Sequence, residues 1–213
     1  MRRSFRFASS APTVLVSPEA ALGKVQIRQW IFRLLELPIP LDSSFFSCLR
    51  WCSDGLKDMV CLLQKQMSAF PGRNRSYARL RQAVGELQKT SDKRLDDELE
   101  EFAEDHAWFQ PQLRQCVQSF VSSRQADDDS IKSCVRSLQK IQKFFGLTDD
   151  AMQLCTLAFL TGNFTAVEGY FEDSLHLQSF DSRRTLSYML DISAATCKET
   201  ISKLEDMGLL EIN

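Results

Sequence analysis

The sequence predicts a mainly all-α fold: a helical bundle followed by a winged-helix, or helix-turn-helix, module with at most a short β element. Three observations carry that expectation. Apolar residues recur at steps of three and four along most of the 213 residues. Eight Gly and six Pro supply few of the turns that many short strands would need. Runs of β-branched residues are few, which argues against an all-β chain, and fifteen Phe supply bulk for helix–helix cores. The expected layout is an N-terminal extension over residues 1–17, a helical domain over 18–125 and a winged-helix-like domain over 126–213.

The first residues, MRRSFRFASSAP, hold three Arg and no acid. That composition has a flavour of a mitochondrial presequence, but it reads more simply as a disordered or strand-like extension, with Thr13–Val16 as a short strand. Ser17-Pro18-Glu19 opens a helix, Pro being tolerated at the first helical position. Gly23-Lys24 after a strand invites comparison with a phosphate-binding loop. The pattern G-x-x-x-x-G-K-[ST] needs Gly at 18 and Ser or Thr at 25, and the chain has Pro18 and Val25. Without a Gly-rich turn and a hydroxyl for magnesium, that reading fails.

The first helix is expected to reach Leu37, burying Trp30, Ile31, Leu34 and Leu35, until Pro38-Ile39-Pro40 ends it. A long apolar helix follows from Ser43 or Ser44 to about Phe70, with Gly55 as a kink or break and Pro71-Gly72 as the stop. A basic amphipathic helix then runs from Arg73 to Lys89, with Arg73, Arg75, Arg79 and Arg81 on its polar face. From Asp92 to Asp105 the sign reverses. Neighbouring helices of opposite charge are most simply an antiparallel hairpin with facing salt links, each worth about 0–1 kcal/mol at the surface. The functional alternatives are a phosphate-binding face on the basic helix or a site for a basic partner on the acidic one. His106, beside Glu104 and Asp105, reads as a helix-end histidine, because no nucleophile or second His stands at helical spacing.

Pro111–Ser123 is a further short helix, and Asp127-Asp128-Asp129 is a polar joint where the domain boundary is expected. The stretch Ser130–Phe145 has the cleanest pattern in the chain, with Ile131, Cys134, Val135, Leu138, Ile141 and Phe145 at steps of three and four. Gly146 caps it. Thr148-Asp149-Asp150 starts a helix, Ala151–Thr161, that is apolar nearly all round and is expected to be a buried spine. One more helix spans Phe164–Leu175. His176 is assigned no role.

Arg183–Leu190 reads as a short helix, Asp191-Ile192-Ser193 as a tight turn, and a second helix runs to about Met207. Ser193 suits the N-cap and Gly208 the left-handed residue after the end. Cys197, Ile201 and Leu204 form its apolar face. Helix, turn, helix and then Leu209–Ile212 in extended form is the order of a winged helix. An isolated strand lacks a pairing partner. Either Phe5–Val16 pairs with it or the polypeptide continues, and continuation is the expectation.

The chemistry of sites is sparse. No nucleophile elbow, H-E-x-x-H or G-x-G-x-x-G occurs, so no catalytic residue is assigned. Seven Cys, none in C-x-x-C, read as buried free thiols of a reducing cytosol in preference to metal ligands. No apolar run approaches the roughly 18 residues of a membrane span, so no membrane partner is expected. The net charge of -2 gives no global attraction to nucleic acid. Contacts to DNA or a protein are therefore sought locally: Arg183 and Arg184 ahead of the second helix, and Thr196, Lys198, Thr200 and Lys203 on its outward side, with Arg73, Arg75, Arg79 and Arg81 as a second basic face. The second helix offers no Arg for guanine and no Asn or Gln for adenine. Its lysines are outnumbered by Glu199, Glu205 and Asp206, which leaves protein docking and weak DNA binding evenly balanced.

Phe145-Gly146-Leu147-Thr148, the apolar helix through Leu160, the residues around Tyr170-Phe171, then RRTLSYMLDIS and LEDMGLLE together resemble the region ahead of the ATPase core in some bacterial AAA-family ATPases. The resemblance covers roughly residues 145–213. It implies a helical N-terminal region and a winged-helix-like module with a recognition or regulatory role, ahead of a nucleotide-binding domain beyond Asn213. ATP and magnesium would belong to that domain, no cofactor to these residues, and any homo-oligomer would form through the full-length protein. The alternative is a free-standing winged-helix DNA-binding regulator whose helical domain dimerises or senses a ligand.

Overall fold

Helix α1, Pro18–Leu34, is the strut against which the other helices assemble, packing on four of them. A computed structural model describes residues 17–53, 78–80, 82–83, 92–123, 129–175 and 183–209. The Ser17 hydroxyl caps α1 by accepting from Ala20 N at 3.1 Å, and Glu19 lies in the first turn. The helix stops three residues short of the expected Leu37. Pro38 disfavours helical geometry at Leu37, and the Gln110 amide donates to the freed carbonyls of Leu35 and Leu37 at 3.1 and 2.6 Å.

Helix α2, Ser43–Cys52, is capped by Asp42 Oδ1, which accepts from Phe45 N at 2.9 Å. The helix closes at Cys52, where Ser53 N donates to Arg50 O at 3.3 Å, so it stops short of the expected Gly55 and does not run on unbroken as expected; the stretch from 54 to 70 lies outside the described residues. So do Arg73, Arg75, Arg81, the Phe5–Val16 segment, the expected boundary near residue 125 and the Leu210–Ile212 strand. The remaining elements are α3 (Asp92–Asp105), α4 (Phe109–Ser123), α5 (Asp129–Phe145), α6 (Asp149–Asn163), α7 (Thr165–Glu168), a π-helical segment (Gly169–Ser174), α8 (Arg183–Leu190) and α9 (Ala194–Asp206). The fold is all-α, and no strand occurs among the described residues.

Two expectations about charge and apolarity change. Arg79 does pair with Glu101, as a basic–acidic hairpin requires. Three other acids of α3 turn to α2 instead: Arg50 holds Asp92 at 2.6 Å and Asp96 at 2.5 Å, and Glu100 accepts from Ser43 N at 3.0 Å. Helix α6 is not buried all round. Leu154, Leu157 and Leu160 enter the core at three-residue steps, whereas Phe159 is 47% exposed. The expected single helix from Phe164 to Leu175 is α7 followed by the π-helical segment, closed by Leu175 N donating to Tyr170 O at 3.0 Å. There the neighbours Tyr170 and Phe171 are both fully buried.

One buried cluster joins residues from both sides of residue 125. Trp30 of α1 meets Phe171 edge-on at 6.4 Å between ring centres. Phe45 of α2 meets Tyr170 at 5.1 Å, and Phe46 meets Phe109 of α4 at 6.3 Å. Helix α1 also comes close to α6 at Gly23, where a Cβ would sit 2.5 Å from Leu160 Cδ2 and 3.4 Å from the Trp51 ring. Gly23→Val is therefore expected to lower stability by about 1–3 kcal/mol in urea unfolding, the range for overfilling a packed core. Gly23→Ala should cost less, because alanine recovers about 1 kcal/mol of helix propensity.

Candidate recognition surface

The helix pair α8–α9 is built by local signals that the sequence displays. Helix α8 ends with Asp191 at φ +60°, in the left-handed region. Ile192 N then donates back five residues to Ser187 O at 3.0 Å, which closes the helix in the manner usually reserved for glycine. Gly146 after α5 and Gly208 after α9 perform the same closure, with Leu147 N on Gln142 O and Leu209 N on Leu204 O, both at 2.9 Å. For a non-glycine residue this conformation costs about 1–2 kcal/mol. At Asp191 a tertiary contact offsets it: Arg33 of α1 donates to its Oδ2 at 3.2 Å and to Met189 O at 2.9 Å. Ser193 then caps α9, accepting from Thr196 N at 3.0 Å.

A second link fastens α8 to α1. The Tyr188 hydroxyl bonds the Glu36 carboxylate, which also pairs with Arg114 of α4, whose guanidinium lies 4.4 Å over the Phe32 ring. The bond to Glu36, with lesser burial, pushes the Tyr188 phenol above its ordinary value. Between the end of α1, α8 and the turn lies an open cleft of about 600 Å³, whose lining includes Arg33, Glu36, Arg184, Tyr188, Asp191 and Ser193. Sequence reasoning missed Arg33, Glu36, Tyr188 and Arg114. The Arg33 and Glu36 contacts reach more than 150 positions along the chain, and no local pattern marks them.

The candidate contact residues differ in exposure and in pairing. Arg184 and Lys198 are exposed, as a contact role requires. Arg183 is half-buried, and its charge draws the Cys197 thiol down against the stronger upward push of burial. Thr196 is half-buried with its hydroxyl 2.7 Å from that of Ser193. Lys203 is exposed but held by Glu199 at 2.7 Å, one turn away, and that bond lowers the Glu199 carboxyl below its usual range. Thr200 does not point outward: it is buried with Cys197, Ile201 and Leu204 on the inner face of α9. Four-residue spacing from Thr196 suggests an outward position, yet Thr200 also lies three residues from Cys197 and four from Leu204, inside the apolar arc. Arg79 is joined to Glu101, so it presents no free basic face.

Elsewhere, His106 lines a shallow pocket of about 280 Å³ with Glu100, Glu104 and Gln110. Its Nδ1 lies 3.0 Å from Phe102 O and its ring stacks on Phe102 at 4.2 Å, which is the geometry of a helix-end residue. Six described cysteines form no disulfide, and burial pushes Cys48 well above the ordinary thiol range. Among the described residues no cluster of three His, Cys, Asp or Glu is placed to hold a metal ion. No described helix is long and apolar enough to cross a membrane. No protein-family model, curated protein or solved structure matches the chain.

Proposed function

We propose that this chain is the non-catalytic recognition region of a larger AAA-family ATPase, and that it docks a protein partner on the outward face of α9 and the adjoining Arg184. The ATPase setting rests on the resemblance over residues 145–213; the observation that supports protein docking is the charge pattern of that face. Lys203 is engaged by Glu199, and Lys198 stands among exposed Glu199, Glu205 and Asp206. Such a surface repels phosphate about as much as it attracts it, whereas mixed charges suit a polar protein interface. The ties of Arg33 and Glu36 hold α8 and the turn on α1, so the surface is presented preorganised.

The second reading, a winged-helix regulator that binds DNA, draws on Arg184 at the rim of the cleft beside the start of α9. Anisotropy titrations with a labelled mixed-sequence duplex between about 50 and 200 mM salt separate the two. The expected result is binding no tighter than about 10 μM with a shallow salt slope, changed less than about threefold in Arg183→Ala/Arg184→Ala. A steep fall with salt that the double substitution abolishes would sink the protein-docking reading. ATP turnover by the full gene product, absent from residues 1–213, is the result the ATPase setting requires.

A further inference from the structure

Helix α5 has the most regular apolar pattern in the chain, yet that pattern is only half covered. Ile131, Cys134, Leu138 and Gln142, spaced at three and four, are half-buried, and the main neighbour of α5 is α1. The flanks of the apolar arc and its C-terminal end remain in solvent. Val135 is 36% exposed, Ile141 46%, Phe145 42% and Phe144 83%. Phe144 and Phe145 stack edge-on at 5.0 Å, so together they make a firm aromatic ledge at the end of the helix.

The charges of α5 fall on one side. At 3.6 residues per turn, Lys132, Arg136, Lys140 and Lys143 occupy a sector of roughly 80°. Phe144 projects between that sector and the exposed edge marked by Ile141. All four cations are exposed, and Arg136, Lys140 and Lys143 form no ion pair among the described residues. Whatever covers the ledge must bring apolar side chains to Ile141, Phe144 and Phe145 and carboxylates to the adjoining cations. A second α5 cannot, because it would set four cations against four. A flat bilayer suits the geometry poorly: the centre of the apolar arc is packed on α1, which leaves Val135 on one side of it and the Ile141–Phe144 edge on the other. A helix seated along that edge meets both conditions.

We propose that α5 is a docking site for an acidic amphipathic helix of a partner protein, seated on Ile141, Phe144 and Phe145 and paired with Arg136, Lys140 and Lys143. This goes beyond the reading of α9, since it uses a separate surface and survives the failure of that reading. The test titrates the full chain into three labelled synthetic peptides. One is an acidic amphipathic helix of Leu and Glu, one has Lys in place of every Glu, and one has the same Leu and Glu shuffled so that no apolar face remains. Vesicles of phosphatidylglycerol are the fourth probe.

The expected result is saturable binding of the first peptide alone. Lys140→Glu/Lys143→Glu should weaken it about tenfold, and Phe144→Ser about fivefold or more. Both variants alter exposed positions, so their thermal unfolding should match the parent, and a Lys198→Glu control on α9 should bind normally. Absence of saturable binding overturns the proposal. So does equal binding of the lysine or shuffled peptide, indifference to both variants, or vesicle binding that the same variants abolish.

Discussion

Trp30→Ala is expected to lower the stability of the chain by about 3–5 kcal/mol, the range for deleting a large aromatic side chain from a packed core. Trp30 is fully buried in the C-terminal half of α1 and meets Phe171 of the π-helical segment. Phe171 in turn stacks on Tyr170, which stacks on Phe45 of α2. The substitution therefore opens a cavity where the first helices meet the last ones. With a total stability on the order of 5–15 kcal/mol, a loss of this size leaves a substantial unfolded fraction at physiological temperature. The Trp30 indole N–H has no hydrogen-bond partner, so Trp30→Phe removes a buried unpaired donor along with its bulk and should cost less than half as much. Urea unfolding followed by circular dichroism gives both numbers. A single transition that shifts as a whole is the outcome a shared core demands. If only part of the signal moves, residues before and after 125 fold as separate units.

Helix ends and helix faces were the most legible features of the sequence, because they depend on residues close together in the chain. Ser17, Thr148 and Ser193 cap their helices through the hydroxyl–amide bonds their positions suggest. Gly146 and Gly208 adopt the positive φ that makes them stops. The inner face of α9 follows the spacing of Cys197, Ile201 and Leu204. What periodicity cannot express is whether an apolar face is covered, and by what. Helix α5 carries the strongest pattern but keeps its flanks in water, while α6, apolar almost all round, buries one face. The turn before α9 shows the same division. Its place in the chain is readable, but the contact to the left-handed Asp191 comes from Arg33, a residue 158 positions away. Likewise the acids of α3 suggest a partner of opposite sign, and the sequence places a basic stretch beside them. Three-dimensional packing supplies Arg50 of α2 for Asp92 and Asp96, leaving Arg79–Glu101 as the described link to the basic stretch.

That substitution of partners leads to the second large effect. Arg50→Ala is expected to lower stability by about 3 kcal/mol at neutral pH, and by much less in acid. The Asp96 side chain is only 4% exposed, with Oδ2 on Arg50 at 2.5 Å and Oδ1 unpaired. Burial raises its pKa above the ordinary carboxyl range; the bond and charge of Arg50 oppose that, and Asp92 and Asp97 add to it. A folded-state pKa above the unfolded one fixes the sign. The carboxyl favours the fold fully below the unfolded value of about 3.9, and the benefit is lost as pH rises through the folded value. Without Arg50 the folded value moves further up, because the one cation that counters burial is gone while two carboxylates stay nearby. The window of loss then widens toward neutrality, and the penalty of the substitution grows across it. Urea midpoints for parent and Arg50→Ala at about pH 4 and pH 7 should therefore converge at the lower pH. Asp96→Asn, which keeps the shape but cannot ionise, should flatten this part of the pH dependence in both backgrounds. A penalty for Arg50→Ala that is the same at both pH values would mean that the guanidinium contributes only packing against α3, and that Asp96 does not need its charge.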